Sequence, residues 1–134
     1  IPYAASKAAL NALTLALATP AKADAPPDAF RSEFVGALSI CTAAYNALAN
    51  NSERGAVDDE MRAFTRGEAS VAREALTLWS RLSSSEVASL LFDASVQLRG
   101  QGQDTRDELV DFAIHCEKKL NEYAETARNR DYTP

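Results

Sequence analysis

Apolar side chains recur every three or four residues along most of the chain, which places them on one face of a helix. Four segments show this spacing, at residues 28–50, 57–82, 84–99 and 105–129. The segments between them are short. We therefore expect an all-α, antiparallel up-and-down bundle of about four helices, forming a single domain over residues 24–134. Because the third segment is the shortest, a three-helix core with a docked fourth helix remains an alternative.

Capping signals mark where two of these helices begin. Ser83 and Thr105 each stand three residues before a glutamate, Glu86 and Glu108, which is the pattern of a capping box. Beyond the last predicted helix, residues 131–134 lack an apolar period, and we expect this tail to be loose.

Composition and charge narrow the choice of partner. The chain is 46% hydrophobic and 25% charged, with Ala and Leu prominent, which favours helix over strand. Its formal net charge of −5 repels phosphate backbones and anionic lipids, so we expect a protein partner with a basic surface and no nucleic acid. The candidate partner-binding residues form an acidic turn, which consists of Glu53, Asp58, Asp59 and Glu60.

The first 23 residues have the features of a secretory signal peptide. Lys7 supplies positive charge, residues 8–18 form an apolar stretch, Pro20 interrupts it, and Ala-Lys-Ala at 21–23 matches a cleavage site. The apolar stretch is too short to be a stable membrane anchor. We therefore expect this segment to be removed, and the protein to be periplasmic or secreted.

A second interpretation of the same segment remains open. Tyr3 and Lys7 lie four residues apart in YAASK, and with the following AALNALTLALA they resemble the active-site helix of short-chain dehydrogenases. In that family the Tyr serves as the acid and the Lys as its charge partner. No Gly-rich turn after a strand is found elsewhere in the sequence to hold a dinucleotide, so we expect no cofactor.

The two cysteines are placed to form a disulfide. Cys41 lies 13 residues after Asp28, and Cys116 lies 13 residues before Asn129, in the first and last predicted helices. At ~1.5 Å per residue, both sit about 20 Å from the same end of an antiparallel pair. In an oxidising compartment they should pair. The alternative is two separate buried thiols.

The titratable residues do not assemble a recognisable catalytic or metal site. His115 is the single histidine, and Asp111 lies one turn before it, but both fall outside the apolar stripe. A solvated charged face is therefore a better interpretation than a general base. With one His and no C-x-x-C or Glu-x-x-His motif, no metal site is expected. We expect a protein that is not an enzyme.

Glu68 falls where the repeat of the second helix calls for an apolar residue. We expect a local kink at Gly67 that turns this carboxylate outward, because glycine weakens a helix at that point. The alternative is a buried carboxylate paired with a neighbouring arginine, for which the candidates are Arg62, Arg66 and Arg73.

Two short stretches suggest a family. LSICTAAY at residues 38–45 and IHCEKKL at residues 114–120, with the helical segments between them, resemble periplasmic immunity proteins of type VI secretion amidase effectors. Those are small exported helical proteins that block a cell-wall amidase. The resemblance implies an exported interaction protein of the inhibitor or immunity type. The alternative function is a periplasmic sensor or carrier that binds a small ligand between its helices.

Overall fold

The computed structural model describes residues 27–50, 59–103 and 105–134, and these residues form an all-α bundle. None of them lies in a strand. The four helices are α1 (Asp28–Ala49), α2 (Asp59–Ser80), α3 (Ser84–Gly100) and α4 (Arg106–Asn129). The predicted fold class and number of helices are confirmed. The up-and-down order of the whole bundle, and a signal peptide at residues 1–23, stay predictions, and the latter lies outside the described residues.

The predicted capping signals begin α3 and α4. At α3, the Ser83 hydroxyl accepts a hydrogen bond from the Glu86 amide, and the Glu86 carboxylate accepts one from the Ser83 amide. This reciprocal pair is a complete capping box. At α4, the Thr105 hydroxyl accepts from the Glu108 amide and donates to the Glu108 carboxylate. These side chains satisfy backbone donors that the first helical turn leaves unpaired.

α1 is the central helix of the described structure. Its backbone lies close to those of all three other helices, whereas the backbone of α4 lies close to that of α1 alone. α3 packs mainly on α1 and touches α2 only slightly. This arrangement buries ten of the 22 residues of α1, including Phe34, Leu38, Tyr45 and Leu48, which are almost fully buried. The core therefore depends chiefly on the surface of one helix.

The predicted disulfide between Cys41 and Cys116 is present and joins α1 to α4. Their Cα atoms are 5.6 Å apart, and both residues are buried. Seven residues earlier in α1, the ring of Phe34 stacks on that of Tyr123, seven residues later in α4. The two helices therefore run past each other in opposite directions between these contacts.

An aromatic cluster lies at the end of the core where α1 begins. The ring of Phe30 contacts four other rings at centroid distances of 5.1–5.9 Å, those of Phe34, Trp79, Tyr123 and Tyr132. Most of these pairs meet edge to face, the arrangement that aromatic quadrupoles favour. The cluster brings α1, α2, α4 and the tail together at one place.

The expectation of a loose tail at residues 131–134 was wrong. The Tyr132 ring packs on Phe30, and the Tyr132 amide donates to the carbonyl of Ala127 at 2.8 Å. The Pro134 carbonyl accepts hydrogen bonds from the guanidinium groups of two arginines distant in sequence, Arg31 and Arg81. These contacts hold the tail against the aromatic cluster.

Removal of the disulfide is expected to destabilise the fold by about 4 kcal/mol, because it closes a loop with a sequence separation of 75 residues. Urea unfolding of oxidised wild type and of the C41A/C116A variant measures this difference. Reduced wild type is the matched control, since it keeps both sulfur atoms but lacks the bond. Losses under about 1 kcal/mol in both samples would contradict the prediction.

Candidate functional site

Glu68 is buried inside the bundle, and the predicted outward kink at Gly67 was wrong. The side chain of Glu68 is 1% exposed. α2 continues through Gly67 without a break, so the helical register keeps Glu68 on the same face as the buried Ala72 and Ala75. One glycine in a helix costs about 1 kcal/mol, which the packing of a 22-residue amphipathic helix outweighs.

The predicted alternative, a buried carboxylate paired with an arginine, is not observed either. Both carboxylate oxygens of Glu68 lack a hydrogen-bond partner among the described residues. Arg66 and Arg73 lie on the exposed side of α2. Burial, and then the charge of Glu117, raise the pKa of Glu68 from 4.5 to about 8. Glu68 is therefore mostly protonated at neutral pH.

Two further oxygen-bearing side chains share this interior region. Tyr45 of α1 is 1% exposed, and its hydroxyl has no hydrogen-bond partner among the described residues. Glu117 of α4 is 4% exposed. Burial, and then the charges of Glu68 and Glu117, raise the pKa of Tyr45 well above its usual range. We refer to Tyr45, Glu68 and Glu117 as the acidic core cluster.

The disulfide positions two members of the acidic core cluster. Tyr45 follows Cys41 by one helical turn, and Glu117 is the residue after Cys116. The bond joins α1 to α4 at the level of Tyr45 and Glu117. The unpaired oxygen atoms of Tyr45 and Glu68 thus lie in the interior of the bundle.

The burial of Glu117 was not predicted from the sequence. A signal was available, because Glu117 lies four residues after the buried Ala113 and three before the buried Leu120. This spacing puts it on the buried face of α4. Cys116 occupies the neighbouring position on that face.

Of the predicted acidic turn, the structure describes only half. Asp59 and Glu60 are exposed in the first turn of α2, where carboxylates favour the helix dipole. Glu53 and Asp58 lie outside the described residues, as do Tyr3 and Lys7 of the dehydrogenase-like stretch. The partner-binding role of the acidic turn stays a prediction.

The polar surface of α4 has the character predicted for it. Asp111 and His115 are both exposed. Among the described residues, no group of three or more His, Cys, Asp or Glu side chains is arranged to hold a metal ion. Within the same part of the chain, no helix has a stretch long and apolar enough to cross a membrane.

α3 carries apolar side chains on two opposite faces. Its inner face packs towards the core through Val87, Leu91, Ala94 and Leu98. On the other side, Phe92 is 66% exposed and Val96, one turn later, is 48% exposed. Together with the exposed Ala88, one turn earlier, they form what we call the outer face of α3. The apolar spacing of residues 84–99 predicted one buried face for this helix, and the second apolar face was not predicted.

A groove of about 270 Å³ runs between α1 and α3. Val35, Ile40 and Leu90 give it apolar walls, while Asp93 and Gln97 make one side polar. Pockets for drug-sized molecules usually measure about 300–1,000 Å³, so this groove falls just below that range. It gives little support to the alternative of a small-ligand carrier.

Comparison with known proteins supplies no relative. No family model matches the chain, and neither a curated protein nor a solved structure matches it. The features of the described residues that bear most on function are the acidic core cluster and the outer face of α3.

Glu68 is expected to make the fold less stable as the pH rises. Because its pKa is about 8 in the folded state and 4.5 as a free side chain, the folded state holds the extra proton between these values. The free energy of unfolding should therefore fall from about pH 5 to pH 8 and then level off, with each pKa unit worth about 1.4 kcal/mol.

Urea unfolding of wild type and E68Q between pH 4.5 and 9 measures this effect. E68Q mimics the neutral acid, so it should gain stability relative to wild type as the pH rises. E74Q, at an exposed glutamate of the same helix, is the matched control and should follow wild type. Parallel profiles for wild type and E68Q would show that Glu68 does not titrate in this window.

Proposed function

We propose that this chain is an exported helical protein of the inhibitor or immunity type, which binds another protein through the outer face of α3. The observation that carries the proposal is the exposure of Phe92, which is 66% accessible with Val96 one turn away. An apolar face left open on a helix marks an interaction surface. Large aromatic side chains supply much of the energy in such contacts.

The composition of α3 supports this role. Of its 17 residues only Glu86, Asp93 and Arg99 are charged, and Glu86 is engaged in the capping box. A helix that is apolar on two faces is normally covered on both. α1 covers the inner face, and the outer face is open to a partner. Covering a fully exposed phenylalanine contributes roughly 1.5–3 kcal/mol to association.

Charge favours a different protein over a second copy of this chain. The full chain carries a formal net charge of −5, and cleavage before Asp24 removes Lys7 and Lys22 and makes the charge −7, so self-association brings like charges together. In a partner with an apolar pocket bordered by Lys or Arg, the pocket would receive Phe92 and the basic side chains would pair with Asp93. The resemblance to immunity proteins of amidase effectors agrees with such a partner, which would be an extracytoplasmic enzyme.

Export is supported by the buried disulfide and by the signal-like pattern of residues 1–23. Protein recovered from its native host is expected to begin at Asp24 and to gain the mass of two hydrogens on reduction. Intact mass spectrometry with and without reductant checks both points. A chain that retains residues 1–23 and contains free thiols would contradict export.

Substitution of Phe92 by aspartate is expected to weaken binding of the partner by at least about tenfold, because it places a charge in the centre of the apolar contact. The partner would be isolated from an extracytoplasmic extract of the host on immobilised wild type, and its affinity for each variant would then be measured by calorimetry. I114D is the matched control, since Ile114 is an exposed apolar residue on α4, away from α3.

Two results would count against this surface. Binding of F92D with the affinity of wild type would show that another face makes the contact and would overturn the proposal. Self-association of wild type that F92D abolishes, measured by analytical ultracentrifugation, would assign the outer face to a homodimer.

The D59K/E60K variant tests the acidic turn separately. An unchanged affinity in this variant would remove Asp59 and Glu60 from the interface.

A further inference from the structure

The groove between α1 and α3 combines apolar walls with a charged rim. Its walls include Val35, Ile40 and Leu90, which are half-buried, pack on the core and leave part of their apolar surface in the groove. Asp93 and Gln97 are exposed on its α3 side. Because its volume of about 270 Å³ is below that of most small-molecule pockets, the groove suits a single amino-acid side chain better than a free ligand.

The carboxylate of Asp93 has no cationic partner in the part of the chain that the structure describes. The ion pairs there join Arg106 to Asp107 and Lys119 to Glu122. An acceptor at the edge of an apolar groove suits a side chain that has an alkyl stem and ends in a positive charge. Lysine and arginine are such side chains, because they lay their stems along apolar surface and keep the charged head in water.

We propose that the groove receives an arginine side chain of the partner protein, an inference that rests on the binding role proposed for the outer face of α3. The methylene groups of this arginine pack on Val35, Ile40 and Leu90. Its guanidinium group donates hydrogen bonds to the carboxylate of Asp93 and to the side-chain carbonyl of Gln97, which lie one helical turn apart. Arginine is favoured over lysine because its planar group is more weakly hydrated and bonds two acceptors at once.

The groove adjoins the outer face of α3. Asp93 follows Phe92 and Gln97 follows Val96, so each polar residue of the groove lies about 100° around the helix from an apolar residue of the outer face. A partner segment that covers Phe92 can therefore also place a side chain in the groove. The apolar contact and the charged contact then belong to one interface, in which opposite charges add specificity.

Gly36 allows the groove to be filled from within the chain. It lines the groove on α1, and a Cβ atom added there would have no steric contact within 4 Å. The side chain of the G36L variant therefore occupies the space of the proposed arginine, and leucine favours a helix more than glycine does. G67L is the matched control, because Gly67 is exposed on α2 and a Cβ atom there also meets nothing within 4 Å.

The first experiment needs no partner and uses the oxidised, isotopically labelled chain. Propylguanidinium chloride, which reproduces the arginine side chain, is titrated while amide chemical shifts are followed by NMR. The controls are n-butylammonium chloride, which reproduces lysine, and propylurea, which is a neutral analogue. We expect saturable shifts at the amides that line the groove, with weaker binding of both control compounds.

Variants locate the binding of propylguanidinium. G36L should bind it at least about tenfold more weakly, because leucine fills the groove. D93N should bind it about threefold more weakly, the effect of a partly exposed ion pair. G67L should bind as wild type. Circular dichroism and the thermal midpoint verify that each variant is folded, and D93N tests the site through its charge without changing its volume.

The second experiment measures the affinity of the same variants for the partner isolated on immobilised wild type. We expect G36L to weaken this affinity at least about tenfold and G67L to leave it unchanged. An affinity that falls in F92D but not in G36L would overturn the groove and retain the outer face as the interface. An affinity that falls in G36L but not in F92D would retain the groove and overturn the outer face.

The probe titration decides the groove even if no partner is isolated. The absence of saturable propylguanidinium binding to wild type would overturn the proposal, as would equal binding by wild type and G36L. Tighter binding of n-butylammonium than of propylguanidinium would overturn the assignment to arginine in favour of lysine.

Discussion

The covalent bond between Cys41 and Cys116 fixes the central helix against the last one, and much of the described core is arranged around that pair. α1 packs against α2, α3 and α4, so its position sets those of the others. A movement of α1 relative to α4 would separate the stacked rings of Phe34 and Tyr123. The bond thus holds together the two helices that carry this ring contact and the buried residues Tyr45 and Glu117.

The acidic core cluster opposes the stability that this packing provides. Burying a carboxyl group is costly even when it is protonated, because its oxygens lose hydrogen bonds to water that the interior does not replace. The bundle tolerates Glu68 because the surrounding helices are long, amphipathic and joined covalently. Such unsatisfied groups tend to occur where structure serves function rather than stability. The same reasoning applies to Phe92, whose exposure in water brings the isolated chain no benefit.

The helices and the disulfide could be predicted because both depend on local pattern and on simple geometry. The spacing of apolar residues and the capping motifs predicted the ends of the helices to within about two residues. The matching positions of the two cysteines along the first and last helices predicted the disulfide. The errors came from interactions between distant residues. The tail is held by Arg31 and Arg81, which no local pattern connects to Pro134. Glu68 was placed outside because a local propensity at Gly67 was given more weight than the packing of the whole helix.

The attachment of α3 to one principal neighbour has a consequence for how the domain responds to binding. Opening of α3 away from α1 would leave the disulfide-linked α1–α4 pair and the aromatic cluster in place, so α3 can unfold locally at a lower free energy than the whole domain. Its two apolar faces belong to the same helix, and the outer one is complete only while the helix is formed. Binding of a partner to the outer face would therefore stabilise the folded form of α3 and leave the rest of the domain unchanged.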